Sequence, residues 1–145
     1  MQGLEARTRS SLVGHGLAVI LLGLLIGFPY ALVISGTLVG SERAWRMAHL
    51  EGVLNGLLLV AIGAAGGSIA LDARRAKWVQ WALIVTAYGN VFGAAFGAMT
   101  GERGLAFAGP AANLVVYFSF LVAVVAVLFA VALAMAGAFR SARGE

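Results

Sequence analysis

The sequence predicts an all-α integral membrane protein, a bundle of four transmembrane helices. Of its 145 residues, 61% are hydrophobic and only 11% are charged, whereas soluble domains are about half apolar and about a quarter charged. Four apolar runs, roughly residues 12–38, 46–71, 78–99 and 111–139, reach the ~20 helical residues that cross the hydrocarbon core. The connections are short, so residues 1–145 are expected to form a single transmembrane domain.

The first run lies where a secretory signal peptide would lie. Its apolar stretch, Leu12 to Ser35, is longer than the h-region of a signal peptide, which has about 7–15 residues. It also lacks a convincing small-residue cleavage site at its end, so we expect a retained span. The second and third runs have ordinary lengths, and the fourth has length to spare for tilt or a short protrusion.

Lysine and arginine are distributed unevenly between the two sides. Seven lie beside the termini or in the second connection: Arg7, Arg9, Arg74, Arg75, Lys77, Arg140 and Arg143. The other three lie on the opposite side: Arg43, Arg46 and Arg103. The positive-inside rule predicts that both termini and the turn at residues 72–77 lie in the cytoplasm. This topology also explains the net charge of +4, so no nucleic-acid partner is expected.

Glycine spacing indicates how the helices meet. Glycines four residues apart occur on the first three spans: Gly23–Gly27, Gly52–Gly56, Gly63–Gly67, and Gly89 through Gly93 and Gly97 to Gly101. Small residues let helix backbones approach closely, which is a main source of association in lipid. The first interpretation is packing within one bundle. The alternative is that part of this surface packs against other subunits or a flat cofactor.

Composition also limits the chemistry. The chain has no cysteine, which excludes disulfides, iron–sulfur clusters, thiolate-ligated haem and cysteine zinc sites. The two histidines leave at most a histidine-ligated metal or cofactor. No Gly-rich phosphate loop, Ser/His/Asp set or paired-carboxylate site is present in the sequence, so phosphoryl transfer and hydrolysis are not indicated.

His49 is the most informative ionisable residue, because such groups are costly at membrane depth and are functional hypotheses by default. At 100° per residue it shares a helix face with Gly52, Val53 and Gly56. Two glycines below a histidine predict a flat trough for a planar group. A neutral imidazole is also suited to bind haem iron axially. The alternative is a hydrogen-bonded packing histidine.

Glu51 and Asn55 lie one turn apart on a second face, rotated about 120–160° from His49. One small pocket is therefore too narrow for all three side chains. A wide cofactor, or a pair of pockets at subunit boundaries, would accommodate them. For Glu51, the alternative is a solvated position near the headgroups.

The remaining polar candidates are His15, Tyr88 and Asn90. His15 and His49 are expected near opposite ends of their helices, about 20 Å apart in depth across a core of ~30 Å, so a bis-histidine site within a subunit is disfavoured. His15 is interpreted as an interfacial or packing residue. Tyr88 and Asn90 are expected either to hydrogen-bond a neighbouring helix or to position a ligand.

Several segments together resemble the bacterial styrene oxide isomerases, in order and at matching spacing over most of the chain. They are Gly14-His15-Gly16, Trp45, Ala48-His49 with Gly52 and Leu54-Asn55-Gly56, Gly89-Asn90-Val91, and Arg103-Gly104-Leu105-Ala106-Phe107. The stretch from His49 to Gly56 is also similar to that of the related hydroxylaminobenzene mutases.

The resemblance implies a four-helix subunit assembled as a homotrimer, with haem b held between neighbouring subunits. It implies that His49 is the iron ligand and that Asn55 helps place the substrate. The implied reaction is redox-neutral: ferric iron acts as a Lewis acid on an epoxide, the benzylic C–O bond opens, and a hydride shift gives an aldehyde. Such chemistry needs a dry pocket more than a strong protein base.

The sequence departs from the family pattern at two positions. An acidic residue of the isomerases falls at Thr86, and a tyrosine falls at Ala94. Tyr88 occupies a position where an aromatic residue is expected. These differences leave the haem site in place and are compatible with a larger or differently oriented aryl epoxide, or with an arylhydroxylamine.

The resulting hypothesis is a haem-b membrane isomerase acting on a small apolar aromatic substrate that partitions into the lipid bilayer. His49 ligates the iron beside Gly52 and Gly56, while Asn55, Tyr88 and Asn90 orient the substrate. Arg46 and Arg103 are candidates to pair with haem propionates; the alternative is that they are solvated loop charges. The rival hypotheses are a hydroxylaminobenzene-type mutase and a non-enzymatic haem-binding membrane protein.

Overall fold

Four long α-helices make up most of the protein. The computed structural model describes residues 3–144 and places the helices at α1 (Ala6–Ile34), α2 (Glu42–Ala65), α3 (Ala73–Thr100) and α4 (Ala111–Arg143), with a short 3₁₀ turn at Gly66–Ser68. Within this part of the chain there is no strand. All four α-helices are long and apolar enough to cross a membrane. The predicted all-α architecture with four spans is confirmed.

Polar caps make α2 and α3 begin earlier than their apolar runs. The hydroxyl of Ser41 accepts the backbone N–H of Ala44 at 3.3 Å, and the carboxylate of Asp72 accepts the N–H of Arg75 at 2.8 Å. These side chains satisfy N–H groups that a first helical turn leaves unpaired. The bond from Arg75 also lowers the pKa of the Asp72 carboxyl, so the stabilisation from this cap is lost as the pH falls through that pKa.

The second helix ends earlier than predicted. The apolar run extends to Leu71, but α2 ends at Ala65, and the following Gly-Gly-Ser forms the 3₁₀ turn. Ile69, Ala70 and Leu71 are buried although they are not helical. The N–H of Ala70 bonds the carbonyl of Gly137 in α4 at 3.2 Å. Tertiary packing, rather than helix formation, therefore accounts for the last apolar residues of this run.

Consecutive helices run in opposite directions, and α3 is the most buried of them. Half of its apolar window lies inside the protein, against 11% for α1 and 17% for α4. The core takes side chains from all four helices, including Leu12, Leu59, Leu83 and Ala130. Both described termini lie at the end that carries the α2–α3 connection, where the N–H of Leu4 bonds the carbonyl of Gly66 at 2.8 Å. We call this the terminal end and the opposite one the loop end.

The helices α1 and α2 touch backbone to backbone along a glycine seam, formed by Gly16 and Gly23 of α1 and Gly52 and Gly56 of α2. A methyl group built on Gly56 would lie 2.6 Å from the carbonyl oxygen of Gly16, and one on Gly23 would lie 2.7 Å from the nitrogen of Val53. No side chain fits at these distances. The glycines of α3 likewise face α4: a methyl group on Gly93 would meet Ser119 at 3.0 Å. The spacing of these glycines therefore reflects the packing of helices within the subunit.

Asn113 organises the loop between α3 and α4. Its Oδ1 accepts the N–H of Gly104 at 2.9 Å, and its Nδ2 donates to the carbonyls of Ala106 and Ala108 at 2.9 and 2.8 Å. Gly104 adopts φ +61°, in the left-handed region where glycine is favoured. One buried amide thus holds a non-helical segment against the loop end.

Replacing a seam glycine should destabilise the protein. In Gly52→Ala the new methyl group would collide with the backbone of Gly23, so we expect a loss of about 1–3 kcal/mol, visible as a lower unfolding midpoint in detergent. Gly14→Ala is the control, because nothing lies within 4 Å of its Cβ position. It should be neutral or slightly stabilising. Equal midpoints for the two variants would contradict the seam.

Candidate functional site

The ring of His49 is fixed by the first helix. Its Nδ1 lies 2.8 Å from the carbonyl oxygen of Gly23, and the ring stacks on Tyr30 with centroids 6.2 Å apart and planes 21° apart. A carbonyl oxygen only accepts hydrogen bonds, so Nδ1 must carry the proton and donate. In a neutral imidazole the lone pair then lies on Nε2, the nitrogen left to bind a metal. The ring is half-buried, and its orientation is fixed by α1.

The trough predicted beside His49 is not open. Gly52 and Gly56 are buried, and the α1 backbone at Gly23 and Gly16 occupies the space where a planar group would lie. Within the subunit, Gly52 and Gly56 therefore pack against α1, and their assignment to cofactor binding stays a prediction. In lipid, close backbone contact is what a glycine pair offers a neighbouring helix, and here the neighbour is α1.

A polar cluster of Glu51, Asn55 and Asn90 joins α2 to α3. Nδ2 of Asn55 donates to the backbone carbonyl of Glu51 at 2.9 Å and to its carboxylate oxygen Oε2 at 2.7 Å. Nδ2 of Asn90 donates to Oδ1 of Asn55 at 3.2 Å. Asn55 is buried, with 8% of its surface exposed. Two of the three residues predicted to orient a substrate are thus brought together.

Tyr88 is placed elsewhere. Its hydroxyl lies 3.1 Å from Nδ1 of His15 on α1, and the two rings meet edge to face with centroids 5.8 Å apart. Residues two apart on a helix point about 200° apart, so Tyr88 faces α1 while Asn90 faces α2. Within one subunit, Tyr88 does not join the Asn55–Asn90 pair. The contact with Tyr88 explains the position of His15, which is a packing residue in this subunit.

The two histidines are too far apart to share a metal ion. His49 lies against Gly23 and Gly27 of α1, which are eight and twelve residues from His15. At 1.5 Å per residue, this separates the rings by about 12–18 Å along the helix. The described residues contain no cluster of three or more His, Cys, Asp or Glu side chains that could hold a metal ion.

A cavity of about 330 Å³ opens at the loop end, a size within the range of small-molecule pockets. We call it the loop-end cavity. It lies between the first turns of α2, the last turns of α3, the α3–α4 loop and the start of α4. Its lining includes Arg43, Met47, Ala94, Arg103 and Phe120. Apart from the charges at its rim, the lining is mostly apolar.

The loop-end cavity and the polar cluster both lie between α2 and α3. Ala44 lines the cavity. Ala48 lies four residues after Ala44, and Asn55 lies seven residues after Ala48, so all three share one face of α2. On α3, Ala94 lines the cavity one turn above Asn90. Ala48 packs with Ala94 in a small buried cluster. Ala48 and Ala94 therefore lie between the cavity and the two amides along α2 and α3.

Comparison with known proteins identifies the family. The model of the family described as styrene oxide isomerase matches residues 8–139, which is most of the chain. The chain belongs to the styrene oxide isomerase family. Among curated proteins, none matches it significantly.

Both positions that depart from the pattern of the styrene oxide isomerases are buried. The hydroxyl of Thr86 lies 2.8 Å from the carbonyl of Ala82 and 3.1 Å from that of Ala123, so it ties α3 to α4. Ala94 leaves room in the loop-end cavity that a larger side chain would occupy. Sequence analysis did not anticipate this cavity, nor that Arg43 and Phe120 line it. The cavity forms where the α3–α4 loop lies beside α2 and α4. The sequence of that loop has no periodic pattern from which this arrangement could be predicted.

The two predicted arginines differ in position. Both are exposed, but Arg103 lines the loop-end cavity and Arg46 does not. His49 and Met47 are two residues apart, so the ring and the cavity lie on nearly opposite faces of α2. Within one subunit, the His49 ring and the loop-end cavity do not form a single pocket.

The protonation of His49 can be measured directly. In protein labelled with ¹⁵N-histidine and prepared without added cofactor, we expect a protonated Nδ1 and an unprotonated Nε2, because the Gly23 carbonyl accepts the Nδ1 proton. The variant His15→Gln assigns the signals, since it leaves a single histidine. A His49 spectrum with the proton on Nε2 would refute this geometry.

Proposed function

We propose that the protein is a membrane isomerase that rearranges an aryl epoxide of the styrene oxide type to an aldehyde, with haem b bound through His49. The family match supports isomerase chemistry. The observation that carries the cofactor assignment is the bond from Nδ1 of His49 to the Gly23 carbonyl, which leaves Nε2 as a ready axial ligand. An arrangement of this kind is common for metal-binding histidines.

The residues fit a haem with one protein ligand. Because the α1 backbone packs against Gly52 and Gly56, a haem held by His49 would lie outside the α1–α2 seam. A haem in this position would be exposed to lipid unless another subunit covered it, so we propose the homotrimer with haem between neighbouring subunits. Arg46 and Arg103 lie near the loop end, at the level of the first turns of α2, and are proposed to pair with the propionates.

The substrate is proposed to enter through the loop-end cavity and to reach Asn55 and Asn90. When bound, ferric haem supplies a Lewis acid for the epoxide oxygen. In the rearrangement the benzylic C–O bond breaks and a hydride moves from the adjacent carbon, so that substrate and product contain the same atoms. The polar cluster orients the reacting edge. The apolar lining of the cavity keeps out water, which would otherwise trap a benzylic cation as a diol.

Location follows from the same proposal. A small aromatic epoxide partitions into lipid, and exposed apolar side chains cover α1 and α4, as expected of lipid-facing helices. We propose a bacterial inner-membrane protein with its terminal end in the cytoplasm, since the terminal end carries most of the arginine and lysine residues.

A second candidate is a hydroxylaminobenzene-type mutase. The small side chain at Ala94, in a position where the isomerases resembled by the sequence carry tyrosine, opens the cavity to substrates of a different shape. Product analysis with an aryl epoxide and an arylhydroxylamine separates the two activities, because only the first yields an aldehyde.

Removing the proposed iron ligand should abolish both haem binding and turnover. Protein purified in detergent from haem-supplied cells should show a Soret band, and His49→Ala should lose it together with about a hundredfold or more of the aldehyde-forming rate, since Lewis-acid assistance contributes several kcal/mol. His15→Ala is the matched control and should keep the band, because that ring pairs with Tyr88. A wild-type protein without a Soret band would contradict the assignment of haem as the cofactor. An unchanged band in His49→Ala would contradict the assignment of His49 as the iron ligand.

Filling the loop-end cavity should change which substrates are accepted. In Ala94→Tyr the added ring would occupy space lined by Met47 and Phe120. We expect kcat/KM for aryl epoxides bulkier than styrene oxide to fall about tenfold relative to styrene oxide itself, as happens when a well-fitting pocket loses about 1–3 kcal/mol of substrate contact. The control Val125→Tyr places the same ring on the exposed face of α4. An equal loss for all epoxides would contradict the role of the cavity.

A further inference from the structure

The structure settles which way the Asn55 amide points. Its Nδ2 lies 2.9 Å from the backbone carbonyl of Glu51 and 2.7 Å from the carboxylate oxygen Oε2. A backbone carbonyl cannot donate, so the nitrogen rather than the oxygen of the amide must face Glu51. Glu51 therefore takes both N–H groups that Asn55 possesses.

The carbonyl end of the same amide is only partly used. Oδ1 of Asn55 accepts one hydrogen bond, from Nδ2 of Asn90 at 3.2 Å. An amide oxygen has two acceptor positions, so one remains. A group that meets Asn55 without disrupting the cluster consequently meets an acceptor and no donor.

The hydrogen bond to Asn55 gives a reason for an ionisable residue at position 51. It is a half-buried ionisable residue within a helix that is apolar enough to span a membrane, where such residues are costly. The partner that the structure shows for its carboxylate is the Asn55 amide. A carboxylate is a stronger acceptor than a carbonyl, and it is well suited to prevent the amide from flipping.

We infer that Glu51 is a positioning residue that holds Asn55 with its oxygen toward the ligand, so that the site selects ligands that present a hydrogen-bond donor or a developing positive charge. The inference rests on the proposed function in placing Asn55 at the substrate. In the epoxide rearrangement, the benzylic carbon becomes positive as its C–O bond breaks, and an amide oxygen stabilises that charge whereas an N–H would oppose it. An arylhydroxylamine would instead donate its O–H or N–H to the same oxygen.

A matched pair of non-reacting ligands tests the inference. 2-Phenylethanol has an O–H donor, whereas its methyl ether only accepts. Their dissociation constants are measured by calorimetry on the haem-loaded, detergent-purified protein, and the ether-to-alcohol ratio is divided by the same ratio in Asn55→Leu, which corrects for size and partitioning. We expect a corrected ratio of about five to ten in the wild type, the worth of one hydrogen bond.

Variants of Glu51 then separate positioning from packing. Glu51→Gln keeps an oxygen acceptor for Nδ2 of Asn55 and should keep the ratio. In Glu51→Leu the amide keeps only its bond to the backbone carbonyl of residue 51, so it can turn and present an N–H to the ether, and the ratio should fall to within about twofold of unity. Glu51→Met is a second variant without an acceptor, should Glu51→Leu fail to fold, and thermal melts check all variants.

The outcomes are decisive in either direction. A wild-type ratio near unity, equal ratios in the Gln and Leu variants, or binding of neither ligand would overturn the inference. The measurement needs no turnover. A protein that forms no aldehyde but shows the expected ratios would refute the proposed reaction and leave the role of Glu51 standing.

Discussion

In a bilayer, helices gain no hydrophobic free energy from meeting one another, so the approach of α1 to α2 depends on direct contact between their backbones. The glycine seam provides that contact, and it does more than hold two helices together. With side chains of ordinary size at Gly23 and Gly52, α1 would lie farther from α2. The Gly23 carbonyl would then no longer be 2.8 Å from His49. The same close approach thus builds the fold and sets the tautomer of the candidate ligand.

The polar residues inside the bundle follow from a second property of lipid, which offers no water to an unpaired amide or hydroxyl. Each of these groups finds its partner on a neighbouring element. Tyr88 bonds His15 across α1 and α3, Asn90 bonds Asn55 across α2 and α3, and Thr86 bonds Ala123 across α3 and α4. The central position of α3 reflects these bonds as much as its glycines. The groups proposed to handle substrate are therefore also links in the structure, which keeps their geometry fixed.

Features of this protein that depend on local sequence pattern could be predicted, whereas features that depend on tertiary contact could not. Hydropathy and length predict four spans, and α4 begins at Ala111 as expected. The end of α2 was misplaced by six residues, because Ile69–Leu71 are apolar yet packed in non-helical form against α4. The helical wheel correctly separated His49 from Asn55. It also showed a face with two glycines, but a wheel cannot tell whether a helix or a ligand fills that face, and here α1 does.

The arrangement around α2 constrains how any substrate could meet the cofactor. His49 faces α1 and Asn55 faces α3, about 120° apart on the helix. The direct path between them on one side is the glycine seam, which is closed by backbone contact. A ligand on Nε2 of His49 must therefore lie toward the outside of the subunit. Such a ligand would be exposed to lipid unless a second copy of the chain covered it. If the proposed haem is present, the oligomer is then part of the active site rather than a consequence of crowding in the membrane. Within one subunit, the His49 ring lies on one face of α2 and the Asn55 amide on another, so a ligand that met both would have to reach across a subunit boundary.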